Sequence, residues 1–156
     1  MTARLWWALV AGPATGPKAN ASLLVRLGAG GVFVAFGAGK FVSHASEVAS
    51  FHTYGLPSPD AFVYAIGVIE LAGGGLLLVG LATRLAALIL AGDMLAAIIV
   101  SGIGQGELIS LTLAVVQLAG MLVIIWIGPG RCALDHWLKD RASASPRRGG
   151  LTESGG

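Results

Sequence analysis

Four apolar stretches, Leu23–Val42, Ala61–Leu81, Leu85–Ile103 and Leu108–Ile127, occupy most of the chain. Each is about 20 residues long, the length a helix needs to cross a hydrocarbon core of ~30 Å. Their polar positions are few and recur at helical spacing. On the first stretch Arg26, Gly30, Phe33, Gly37 and Lys40 fall 4, 3, 4 and 3 residues apart and share one face. The second repeats this with Val63, Gly67, Glu70, Gly74 and Leu77, the third with Ala86, Leu90, Asp93, Ala97 and Val100, and the fourth with Ser110, Ala114, Gln117, Met121 and Ile124. The pattern predicts an all-α fold: four transmembrane helices in an antiparallel bundle, each turning its polar seam inward. Gly30, Gly37, Gly67 and Gly74 lie on those seams, where small residues let membrane helices pack closely.

The connections divide the chain further. Residues 1–20 read as a flexible lead in which Trp6 and Trp7 anchor at the headgroups. Residues 21–138 form the membrane domain, and 139–156, rich in Ser, Gly and Arg, read as a disordered tail. The Ser-, Pro- and His-containing stretch from His44 to Asp60 reads as a loop. The second and third helices are joined only by Ala82, Thr83 and Arg84, and are therefore antiparallel neighbours. After Pro129-Gly130, the spacing of Leu134, Trp137 and Leu138 predicts a short interfacial helix within Arg131–Arg141.

Composition agrees with a lipid environment. Of 156 residues, 55% are hydrophobic and 12% charged, mean hydropathy is +0.80, and soluble domains carry about 25% charged residues. The net charge of +2 does not indicate nucleic acid, because the cations gather at helix ends and in the tail. Arg4, Lys18, Arg84, Arg131, Lys139, Arg141, Arg147 and Arg148 fall on one side with Arg26 nearby, and Lys40 alone lies toward the other. The excess of positive charge predicts that both termini are cytoplasmic. The single Cys132 excludes an intrachain disulfide, a CxxC pair and a thiolate metal cage. His44, His52 and Glu47 share the outer loop without a zinc-like spacing, so no metal is expected.

The candidate chemistry lies at membrane depth. Counting at ~1.5 Å per residue puts Glu70, Asp93 and Gln117 about 13–15 Å below the outer helix ends, with Lys40 ~3 Å and Arg26 ~24 Å below that boundary. A carboxylate there costs ~2.5–3.5 kcal/mol. About fifteen strongly apolar residues per helix return ~4.5–9 kcal/mol, so insertion tolerates the acids without explaining them. Two readings stand side by side. In one, Glu70 pairs with a cation and the acids only fix helix register; in the other, Glu70, Asp93, Gln117, Arg26 and Lys40 form an intramembrane polar site. Lys40 is the favoured partner of Glu70, because Arg26 can extend to phosphate headgroups instead.

Several motifs appear in a recognisable order: Arg26-Leu27, Phe36-Gly37-Ala38-Gly39-Lys40, Gly55-Leu56-Pro57, Glu70-Leu71-Ala72-Gly73-Gly74, Gly80-Leu81-Ala82-Thr83-Arg84-Leu85-Ala86-Ala87, and Gly128-Pro129-Gly130-Arg131 with Asp135. Over residues 23–138 the chain resembles the DoxX family of small bacterial membrane proteins. The resemblance implies a four-helix bundle in the bacterial cytoplasmic membrane and an accessory role in a quinone-linked redox or oxidative-stress system. Quinone would be the cofactor, with nothing bound covalently. Any enzymatic activity would be that of an oxidoreductase subunit relying on an external cofactor or partner. Redox-enzyme subunits or a second copy of the chain are the protein partners it leaves open, besides the lipid bilayer. The alternatives are a proton or small-solute pathway and a non-catalytic membrane scaffold.

Overall fold

A computed structural model describes residues 17–106, 108–135 and 137. The Trp6/Trp7 anchor, His136 and the tail from 139 lie outside the described residues, as does the latter part of the expected interfacial helix. The described residues form five helices: α1 (Pro17–Val42), α2 (His44–Thr53), α3 (Pro59–Val79), α4 (Thr83–Ala97) and α5 (Leu108–Ile127). A π-helical segment, Ile98–Ile103, extends α4. Four helical stretches are long and apolar enough to span a membrane, the third running from Thr83 through Ser101. They close into a ring in which α1 packs chiefly on α3 and α5 on α4, with α3 against α4 and α5 against α1 completing the circuit.

Close approach of α1 and α3 depends on the absence of side chains. A Cβ on Gly37 would stand 2.8 Å from the backbone nitrogen of Leu71, and one on Gly74 would stand 2.9 Å from the carbonyl oxygen of Gly30. Neither backbone can withdraw cheaply, so the two helices meet at these glycines. The seams of α1, α3 and α5 are buried at Arg26, Gly30, Phe33 and Gly37, at Val63, Gly67, Glu70, Gly74 and Leu77, and at Ala114, Gln117, Met121 and Ile124. On α4 the buried face lies a little to one side of the expected line. It includes Ala86 and Leu90 but also Ala87, Ala91 and Met94, leaving Asp93 and Ala97 half-buried.

Two boundaries differ from the sequence reading. The first helix begins six residues earlier, at Pro17, where a proline without an N–H suits the first turn. The expected loop after Ser43 is mostly the helix α2. Its polar composition masks one buried anchor, Phe51, while Ser50 and Thr53 donate side-chain hydrogen bonds to the carbonyls of Ser46 and Ala49. Packing on α3 and α1 then holds a segment too short to stay helical alone.

At the other end, α3 closes at Gly80, whose φ of 72° is strained for any residue with a Cβ. Leu81 N–H returns to the carbonyl of Leu76 at 3.0 Å. The next helix has no capping side chain of its own. Asp135, far along the chain, supplies it: its carboxylate accepts from Ala82 N–H at 2.8 Å, Thr83 N–H at 3.1 Å and the Thr83 hydroxyl at 2.9 Å. These are the orphan donors every helix start must satisfy.

Candidate functional site

The polar residues of the four seams separate into two groups at opposite ends of the bundle. Arg26 is 1% exposed and donates to the carbonyls of Pro129 at 2.7 Å and Cys132 at 3.3 Å. Ser22, one turn earlier, donates to Gly128 O, and Arg131 N–H reaches the carbonyl of Ala19 at 3.3 Å. Asp135 N–H adds a bond to Gly80 O at 3.0 Å. The segment after α5 is thereby clasped onto α1 on one side and onto the α3–α4 turn on the other. Its backbone turns through positive φ at Gly128, Gly130 and Cys132, and helical geometry resumes at Leu134 rather than Arg131. Arg26 thus stands apart from the other four residues of the expected polar site: its two terminal nitrogens bond carbonyls of the clasp rather than Glu70, while its Nε is buried with no hydrogen-bond partner among the described residues.

Lys40 and Glu70 meet at the other end. Lys40 Nζ lies 3.0 Å from Glu70 Oε2, with side-chain exposures of 12% and 6%. The pair exists because Lys40 sits one helical repeat beyond Gly37, where α1 and α3 are closest. Gly67 leaves room for the lysine stem: a Cβ there would lie 3.3 Å from the Lys40 Cβ.

This ion pair faces a cavity of about 420 Å³, within the usual range for small-molecule sites. All four long helices and α2 contribute to its wall. Lys40, Glu70, Asp93 and Gln117 provide polar groups inside the bundle, while Glu47 and Ser50 of α2, and Tyr54 just after it, line it from the α2 end. Phe33, Phe36, Phe51 and Phe62 give it aromatic sides. Below it, toward Arg26, Leu77, Leu90, Met121 and Ile124 fill the interior with no exposure at all. None of the clasp residues lines the cavity.

Two of the polar groups are differently satisfied. Gln117 Nε2 donates one N–H to the carbonyl of Ala29 at 3.3 Å and carries a second. Asp93 Oδ2 is a buried atom with no hydrogen-bond partner among the described residues. Beyond Asp93 the π segment widens the helix and brings Ser101, 8% exposed, to the cavity wall. Such widenings concentrate at functional sites. Ser101 follows Asp93 at i+8, a trace in the sequence that the chosen seam, ending at Val100, passes over. Glu47, Ser50 and Tyr54 were legible only once residues 44–53 were known to be helical. His44 has a structural explanation: its Nε2 lies 2.8 Å from Asp60 Oδ1, and its ring stacks on Tyr64 at 4.2 Å. No group of three or more metal-ligating side chains occurs among the described residues.

Against known families, the DoxX family model matches residues 21–103, more than half of the chain. The protein belongs to the DoxX family. Its likeness extends to the "Uncharacterized membrane protein Rv3486" of Mycobacterium tuberculosis, 32% identical over 143 residues, covering 81% of this chain and 86% of that one. A shorter match, 40% identical over 78 residues, is to the "Putative oxidoreductase CatD" of Bacillus subtilis, covering 50% of this chain and 57% of that protein. No solved structure matches. The DoxX match contains Arg26, Lys40, Glu70 and Asp93; Gln117 and Asp135 lie beyond it.

Proposed function

We propose that this DoxX protein is a membrane-embedded accessory subunit of a quinone-linked redox or oxidative-stress system, and that the cavity beside Lys40 and Glu70 receives the quinone ring. The observation that carries the proposal is the cavity's make-up: aromatic walls around a small set of convergent polar groups, one of them an unpartnered buried carboxylate oxygen. The Bacillus relative's name supports the redox class. When bound, a quinone supplies carriage of two electrons and two protons. The protein's own residues would hold the ring between Phe33, Phe36 and Phe51 and direct N–H donors of Lys40 and Gln117 at its oxygens, with Asp93 beside them. The lopsided cations support placement in the bacterial cytoplasmic membrane with both termini inside, the cavity then lying in the outer half of the bundle.

A proton or solute pathway is the weaker reading, because the apolar side chains between the cavity and the Arg26 end are fully buried. Organic extraction of protein purified in mild detergent should release quinone in near-stoichiometric amount, and cross-linking in membranes should recover a redox enzyme. Protein that carries no quinone and recovers no redox partner would remove the proposal.

A further inference from the structure

The seam between α1 and α5 is closed at one end of the bundle and open at the other. On α1 the stripe turned toward α5 runs Val25, Ala29, Val32, Phe36, and on α5 the matching stripe runs Gly120, Gln117, Leu113, Ser110, both at helical spacing. In the half nearer Arg26 the stripes touch. A Cβ on Gly120 would stand 3.4 Å from Val25 Cγ1 and 3.9 Å from Ala29 Cβ, and Gln117 Nε2 donates to the Ala29 carbonyl at 3.3 Å. In the other half Val32, Phe36, Leu113 and Ser110 all line the cavity. Phe36 and Leu113 are at the same time 50% and 41% exposed on the outer face of the bundle. A side chain that belongs both to a cavity wall and to the outer surface forms the rim of an opening, so the seam held shut at Gln117 opens sideways beyond it.

The opening lies within the membrane-spanning lengths of α1 and α5, and therefore faces acyl chains. The cavity, at about 420 Å³, is at the small end of the range for drug-sized ligands. It has room for a ring, and a long apolar chain attached to that ring must lie outside it. Between α3 and α4, Phe62 and Ala96 are also exposed and border the cavity. There, however, the chain running from α2 into α3 adds Tyr54 and Leu56 to the wall, and α2 packs chiefly on α3. We propose that the α1–α5 seam is the lateral entrance of the cavity: the ring lies beside Lys40, Glu70 and Gln117, and its chain leaves between Phe36 and Leu113 into the bilayer. The ligand is then a ring borne on a long apolar chain and taken from the membrane rather than from water. The inference rests on the assignment of a quinone-type ring to this cavity and adds the chain and its route.

The test uses the full chain in lipid nanodiscs with two photoreactive ubiquinone analogues, one carrying an azide on the ring and one a diazirine near the end of a decyl chain. Labelled positions are read by peptide mass spectrometry, counting only label that excess decylubiquinone displaces. The ring probe should label residues of the cavity wall, and the chain probe should label α1 and α5 around Phe36 and Leu113. Chain label on α2, or on α3 and α4 around Phe62 and Ala96, overturns the inference while the ring label keeps the ligand in place. Absence of displaceable ring label removes the ligand class and the inference together. Leu113→Trp, which adds bulk at the rim, should weaken decylubiquinone binding about tenfold and leave binding of the same ring without its chain unchanged. Val115→Trp, exposed on the same helix and outside the wall, should change neither. Equal losses for the two ligands in Leu113→Trp would put residue 113 against the ring and overturn the route. Labelling of the unsubstituted protein decides even where Leu113→Trp fails to fold.

Discussion

The two ends of the bundle each bury charge, and they treat it in opposite ways. At the Arg26 end the guanidinium bonds two carbonyls of the clasp, with only its Nε left without a partner among the described residues, Asp135 takes three hydrogen bonds, and Leu77, Leu90, Met121 and Ile124 are fully buried. At the Lys40 end the ion pair borders an open cavity, a neighbouring carboxylate oxygen is unpartnered, and the helix beside it is widened. The first end spends buried polarity on joining three parts of the chain; the second holds it facing empty space. The clasp and the cavity thus lie at opposite ends of the bundle, and each half should answer mutation in its own way.

Asp135→Ala should cause the largest loss, about 3–5 kcal/mol, because it removes a buried charge and strands two backbone N–H groups and the Thr83 hydroxyl. Asp135→Asn should lose less, since one oxygen still accepts. Thermal unfolding in detergent measures both, and a loss from Asp135→Ala no greater than that from Lys40→Met would erase the contrast between the ends. Lys40→Met should cost about 2–3 kcal/mol, below the full penalty of breaking a closed pair because the cavity can admit water to Glu70. Adding Glu70→Gln should restore most of it. Absence of coupling in that double-mutant cycle would show that the pair contributes nothing to the fold.

Gly37→Ala sharpens the comparison by testing a tight backbone contact in the cavity half. Its Cβ would meet the Leu71 backbone at 2.8 Å, and overpacking of this kind costs about 1–3 kcal/mol. Gly28, with nothing within 4 Å of an added Cβ, is the control: alanine there should be neutral or stabilising by about 0.5–1 kcal/mol. Asp93→Asn should change stability by less than about 1 kcal/mol, because the atom it alters has no partner to lose. A large loss would mean that Asp93 belongs to the scaffold. The smallest structural disturbance comes from labelling. In a Cys132→Ser background, a cysteine in place of Ser46 on α2 should react with an impermeant thiol reagent from outside the cell, whereas the native Cys132, exposed at the other end, should not. The reverse pattern would turn the cavity half toward the cytoplasm.

Much of the architecture was legible from local pattern. The ends of the fourth helix, Leu108 and Ile127, coincide with its apolar window. The spacing of Glu70 between Gly67 and Gly74 marked a buried face, because one face of a helix is a matter of counting by 3.6. Where counting misled, a tertiary contact was responsible. Residues 44–53 look like a loop until Phe51 finds a place against the bundle, and Arg26 looks free to leave the membrane until the carbonyls of Pro129 and Cys132 arrive from more than a hundred residues away.

The sequence by itself determined four spans and their antiparallel order, since bilayer thickness and helical rise act on neighbouring residues. Only the tertiary structure decided which cation meets Glu70, which distant carboxylate caps α4, and that a cavity remains between Lys40, Glu70, Asp93 and Gln117. Those outcomes depend on how closely glycine-lined helices approach and on what they leave unfilled, and no local stretch of the chain encodes the shape of a space that five helices share.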